Sequence, residues 1–194
     1  MTITRSIPIL LGALCCLAPI RLMAADEGCP DLRGKSTAAH LEYLRGDRSK
    51  LLAQCIVSAI RYIGGAHYSQ GSAILIQYLD YQDPDSRLRK DIGASILYAY
   101  PAVDALYSLG KPVVPELTTV VSSPDATDVA RQNAAETIFL IYGANNPEGI
   151  AVLVRAAHAQ ADPTASIRLI DQARRLAGKC LATARNDCEN AVLK

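Results

Sequence analysis

An all-α fold built from repeated helical pairs follows from three observations on the sequence. First, apolar residues lie at helical spacing on both sides of a Gly-Lys-Pro break: Ala102, Val103, Ala105, Leu106 and Leu109 before it, Val113, Val114, Leu117, Val120 and Val121 after it. Second, no convincing strand alternation occurs. Third, the chain repeats itself. The segments AIRYIG, ALYSLG and ARRLAG end at Gly64, Gly110 and Gly178, each with Ala five residues earlier; IFLIYG ends at Gly143 with Ile138 in that place. Pro-Asp or Asp-Pro pairs recur at 84–85, 124–125 and 162–163, spaced by 40 and then 38 residues. A period near 40 residues is that of a helical solenoid, in which each short hairpin buries its stripe on the next.

The elements follow in order. Ser36 or Thr37 caps a first helix through about Leu44, stopped at Gly46. Asp47 caps a second, with Leu52, Cys55, Ile56, Ala59, Ile60 and Ile63 inward and Gly64-Gly65 as its stop. A third spans about Ser72 to Leu79. The stretch from Tyr81 to Tyr100 interrupts the rhythm and is either a loop or an extra short helix from about Ser86 to Leu97. In the pair over 101–121, Gly110 suits a helix end with positive φ, and Pro112 and Pro115 belong to a first turn. A long helix from about Thr127 to Tyr142 precedes one led by Asn146-Pro147 and one led by Asp162-Pro163. The tail is a short helix with a turn near Asn186-Asp187.

At 194 residues the chain has the length of one domain. Residues 1–25 read as a secretory signal peptide: Arg5, an apolar run from Ile7 to Ile20, and small Ala24-Ala25 before acidic Asp26-Glu27. Arg21 is unusual there and leaves room for an uncleaved anchor. Leu14 before Cys15 argues against a lipidated cysteine at Cys15 or Cys16. Residues 26–194 form a single domain. Removing Arg5 and Arg21 leaves 18 lysines and arginines against 19 acidic residues, so the charge falls from +1 to −1. That balance argues against nucleic acid, and no charge block points to a membrane surface. Four cysteines remain, Cys29, Cys55, Cys180 and Cys188, and an even number after a signal peptide implies two disulfides with three possible connectivities.

The stretch YPAVDALYSLGKPVVPELTTVV, followed by ARQNAAETIFLIYG and the Asn-Pro-led helix, resembles HEAT-type repeats, and more specifically secreted bacterial HEAT-repeat proteins. Arg131-Gln132-Asn133-Ala134-Ala135 is similar to the R-x-x-A-A start of a HEAT-like helix. The resemblance covers about Asp47 to Lys179 and implies an α-α superhelix of three to four helical hairpins. It says almost nothing about activity, because such repeats host scaffolds, inhibitors and a few lyases. In such a stack each unit touches only its neighbours, so Cys55 stands far from Cys180 and Cys188, and local pairing, Cys29–Cys55 and Cys180–Cys188, is favoured. Eight residues of straight helix rise about 12 Å, so the second bridge requires a turn between its cysteines. The alternative for Cys55 is a buried thiol.

Catalytic and metal chemistry find no support in the residue pattern. His40, His67 and His158 lie in separate units as surface or turn residues, and no His pair has metal-ligand spacing. Glu42, Glu116, Glu136 and Glu148 are isolated, no serine sits in a strained elbow, and no phosphate-binding loop or cofactor motif occurs. The chain is read as a non-enzyme without metal or cofactor. The anomaly is aromatic: nine tyrosines, one phenylalanine and no tryptophan, with seven tyrosines between Tyr62 and Tyr107. Tyr62, Tyr78 and Tyr107 read as gap-fillers at the core edge. Tyr81, Arg87, Arg89, Lys90, Tyr98 and Tyr100 form the candidate partner-binding set, because tyrosine anchors interfaces and the cations suit an acidic partner.

The expectation is an exported scaffold, periplasmic or secreted, that binds a protein or peptide. The alternatives are an inhibitor or immunity-type protein that uses 81–100, and a lyase-like helical-repeat enzyme. A deep pocket with two titratable side chains would favour the enzyme, a tyrosine-lined surface the scaffold, and a protruding loop the inhibitor.

Overall fold

The structure is a computed structural model that describes Cys29, residues 32–87 and residues 95–194. The signal-peptide reading of residues 1–25, and the candidate residues Arg89 and Lys90, lie outside the described residues. Among those described, ten α-helices and no strand occur: α1 Thr37–Leu44, α2 Ala53–Gly65, α3 Ser72–Ile76, α4 Ile96–Ala99, α5 Pro101–Leu109, α6 Val114–Ser122, α7 Asp128–Tyr142, α8 Glu148–His158, α9 Pro163–Ala177 and α10 Arg185–Val192. The all-α expectation holds.

Local chemistry sets most helix ends. Ser36, Thr127 and Asp162 accept hydrogen bonds from the first-turn amides of α1, α7 and α9, and prolines open α5 and α9 at positions where no donor is missed. Asp47 behaves differently from the expectation. Its carboxylate caps only a 3₁₀ turn, Arg48–Lys50, and α2 starts later, at Ala53, with no side-chain cap. The amide of Leu52 donates instead to the Tyr43 hydroxyl at 3.2 Å. The third helix ends early, at Ile76.

One continuous apolar core runs from Cys29 to Ala191. In the N-terminal half α2 lies between α1 and α5, and α3 and α4 pack on α5. The two helices of 101–121 find their main neighbours elsewhere than on each other: α5 packs on α2 and α7, and α6 on α7 and α9. Helices α6, α7, α8 and α9 each meet the next, and α9 returns to α6, which closes a ring of four. The α9 side chain Arg168 ties that closure by donating from Nε and Nη2 to the Ser122 carbonyl, at 3.0 and 2.7 Å, at the end of α6. Helix α10 lies across α8 and α9.

The aligned glycines serve three different purposes. Gly64 is not a stop but lies inside α2, where a Cβ would sit 2.6 Å from Ala105 Cα; it allows α2 and α5 to touch backbone to backbone. Gly110 ends α5 with φ +74° and ψ −153°, a conformation open to glycine. Gly178 follows α9 in an ordinary right-handed conformation.

Both bridges form in the local pairing favoured above, Cys29–Cys55 with Cα atoms 5.1 Å apart and Cys180–Cys188 with 6.6 Å. All four cysteines are buried. The turn in the second loop lies at 182–184 rather than at Asn186-Asp187, which fall in the first turn of α10. An acidic side chain is stabilised at that end of a helix, so Asp187 belongs inside it.

Candidate functional site

Arg61 is the lone charged residue of α2, AQCIVSAIRYIGG, and it organises the face beside the 81–100 stretch. Its Nη2 donates to Asp83 Oδ2 at 3.0 Å, and its guanidinium lies 5.6 Å from the centre of the Tyr98 ring. Asp83 is buried. Its Oδ1 accepts from the Asp85 amide at 3.0 Å, its carbonyl accepts from the Ser86 hydroxyl, and its own amide donates to the Ala99 carbonyl at 2.9 Å. The last bond joins the start of the excursion to its end. The two ends are therefore pinned together against the body.

The described part of the excursion is neither one loop nor one helix. Pro84–Arg87 forms a 3₁₀ turn, and Ile96–Ala99 is a single helical turn packed on α5.

A second cation, Arg48, binds beside this face. It pairs with Asp80 at 2.9 Å and stands 5.2 and 5.0 Å from the ring centres of Tyr78 and Tyr81. Tyr78 is buried, and its hydroxyl donates to the Leu44 carbonyl at 2.7 Å. The half-buried Tyr81 donates to the Ala53 carbonyl. Burial raises the pKa of both phenols; Asp83 repels the ionised form of Tyr81, and Arg48 opposes the shift in each.

Of the sequence candidates, each half-buried, Tyr98 lies over Arg61, Tyr81 stands with Arg48, and Tyr100 precedes α5 and packs on the core. Arg87 closes the 3₁₀ turn, but its side chain lies outside the described part. Tyr62 and Tyr78 do fill the core edge, whereas Tyr107 is exposed. The residues missed by sequence reasoning are Arg48, Arg61, Asp80, Asp83 and Asp104. Arg61 carried a readable signal, a single charge in an otherwise uncharged helix.

Arg61, Ser95, Leu97, Tyr98 and Asp104 line an open cavity of about 340 Å³. Asp104 sits in the first turn of α5, and burial raises its pKa against the opposing charge of Arg61. A larger groove of about 750 Å³ lies between α8 and α10, with Val154, Ala151 and Leu193 beside the paired Arg155 and Glu148.

Among the described residues no cluster of His, Cys, Asp or Glu could hold a metal ion. Two histidine and glutamate readings need correction. His40 is buried and stacked on Tyr62, with ring centres 4.0 Å apart, rather than at the surface. Glu136 is not isolated but is buried in α7 and held by Arg175 of α9 at 3.2 Å and by Lys179, just after that helix, at 2.6 Å. Helical spacing alone does not show a partner 39 or 43 residues away.

No family model, curated protein or solved structure matches the chain. The functional reading therefore rests on the residues themselves.

Proposed function

We propose that this is an exported, non-enzymatic scaffold of HEAT-like type that binds a protein or peptide at the face bearing Tyr81, Tyr98 and Tyr100. The observation that carries the reading is the cavity of Arg61, Leu97, Tyr98 and Asp104, set beside an excursion whose ends are pinned by the Asp83–Ala99 bond. Aromatic walls with a few fixed polar groups suit recognition of a side chain. The open shape offers no enclosed space from which water is excluded, so recognition fits better than bond-making.

The HEAT-like part of the proposal is supported by the packing of consecutive helices in the pairs α1/α2, α6/α7 and α8/α9. Export is supported by the two disulfides, which persist in an oxidising compartment such as the periplasm or the medium. No helix among the described residues is long and apolar enough to cross a membrane.

The test is retrieval of partners from the native envelope or medium with wild type and with Tyr98→Ala plus Ser95→Trp. Ser95 is exposed at the cavity wall, so tryptophan there obstructs the cavity without emptying the core. The expected result is at least a tenfold loss of a retrieved partner at unchanged helix content by circular dichroism. An identical set of partners in the double variant would remove this face from consideration.

A further inference from the structure

The two charged groups among the described residues that line the cavity beside α5 are not equally satisfied, and the imbalance points to the chemistry of a ligand. Arg61 is engaged on two sides, by the buried carboxylate of Asp83 and by the ring of Tyr98. Asp83 is itself bonded further, by the Asp85 amide. Asp104 differs. It is half-buried, lines the same cavity, and its carboxylate receives no hydrogen bond among the described residues. The charge of Arg61 acts on it only at longer range.

A half-buried carboxylate without a protein donor is hydrated from the open side of the cavity, and a ligand that supplies an N–H and a positive charge replaces that water with a charge-assisted bond. A second carboxylate would meet Asp104 as a like charge, while the one described cation lining the cavity is already paired. The remaining lining suits the stem of such a ligand: Leu97 and the Tyr98 ring are apolar walls, and the Ser95 hydroxyl stands at the rim. A space of about 340 Å³ admits a long side chain with room for its own backbone.

Resting on the reading that this face binds a protein or peptide, we infer that the cavity receives a cationic side chain, lysine or arginine, from that partner. It differs from the acidic partner expected from Arg87, Arg89 and Lys90, whose side chains lie outside the described residues. Charge complementarity at Asp104 decides the sign.

The experiment titrates the ¹⁵N-labelled protein with three capped amino acids, Nα-acetyl-lysine amide, Nα-acetyl-norleucine amide and Nα-acetyl-glutamate amide. The lysine compound is expected to shift the amides of residues 95–104 with a Kd at least tenfold tighter than norleucine, which has the same stem without the charge. Asp104→Asn should abolish the preference and Asp104→Glu should retain part of it, both with native dispersion of the remaining amides. Equal binding of norleucine or glutamate, an unchanged preference in Asp104→Asn, or no shift with any compound would overturn the inference.

The two readings fail separately. Loss of the native partner in Tyr98→Ala plus Ser95→Trp without a preference for lysine keeps the interface and removes the cation. A lysine preference with unaltered partner retrieval keeps the cation site and removes the interface.

Discussion

From Leu32 to Leu109 the longest helix has 13 residues, and polar side chains hold the segments together; from Val114 to Ala177 two helices reach 15 residues and close a ring. In the first region Arg48 reaches Asp80, Arg61 reaches Asp83, and Tyr78 reaches the carbonyl of Leu44. In the second, Glu136 is held by Arg175 of α9 and by Lys179 just after it, and the helices meet mainly through alanine, leucine and valine. Short helices have few internal bonds and narrow stripes, so they depend more on ties from other segments. Those ties leave aromatic and charged groups near the surface. The region of short helices is also the one that holds the cavity of Tyr98 and Asp104.

The disulfides give the sharpest test of that contrast. Cys29 and Cys55 are 26 residues apart and tie the lead segment to α2, whereas Cys180 and Cys188 are 8 apart. Loop-closure entropy assigns about 3.5 kcal/mol to the first bridge and about 2.5 kcal/mol to the second. Denaturant titration of Cys29→Ser/Cys55→Ser and of Cys180→Ser/Cys188→Ser is expected to show the larger loss for the first pair. The reverse order would mean that the C-terminal ring depends on its cap more than the N-terminal half depends on its staple.

The three aligned glycines give the next largest effects, and they should be unequal. Gly64→Ala is expected to cost about 3 kcal/mol, because the new methyl meets the backbone of Ala105. Gly110→Ala should cost about 2 kcal/mol through its positive φ. Gly178→Ala, with an ordinary φ and no close contact, should lie within about 0.5 kcal/mol of wild type. Equal costs at all three would restore the glycines as structurally equivalent repeat positions.

Smaller again is Glu136→Gln, expected to cost about 1 kcal/mol by thermal or chemical denaturation. Arg175 and Lys179 are partly exposed and recover hydration, which limits the loss. A loss well above 3 kcal/mol would show that the ring depends on this ion cluster rather than on its apolar core.

The smallest effect is a pH dependence at Asp104. Burial raises its folded pKa above the usual 3.8, so on raising the pH the unfolded chain releases this proton first. Wild-type stability from this group is therefore complete below 3.8 and declines as pH rises through the higher folded value. Asp104→Asn carries no such titration, and its stability relative to wild type should increase across that window. A flat difference between the two unfolding midpoints would show that Asp104 is not desolvated.

Much of the fold was legible because helices are local objects. Apolar spacing, Ser36, Thr127, Asp162 and the prolines mark α1, α5, α6, α7 and α9 within a residue or two. The excursion was less legible because its structure depends on Asp83 reaching Ala99 and Arg61, contacts across 16 and 22 residues. The candidate site was half-read: the tyrosines were found, but not the acids and arginines that accompany them. Tyrosine announces itself by its count, whereas a single Arg61 or Asp104 acquires meaning only from what it faces.

By itself the sequence determined the all-α class and the positions of most helices; it left three cysteine pairings and favoured the local one that forms. Periodicity, capping and chain length constrain the class and the helices without reference to distant neighbours. The tertiary structure alone decided that α5 leans on α2 and α7, that α6 closes a ring with α9, and that Gly64 serves close approach. It also brought Asp104 and Arg61 to one cavity. Packing chooses which faces meet, and desolvation takes its sign from the groups that packing brings together.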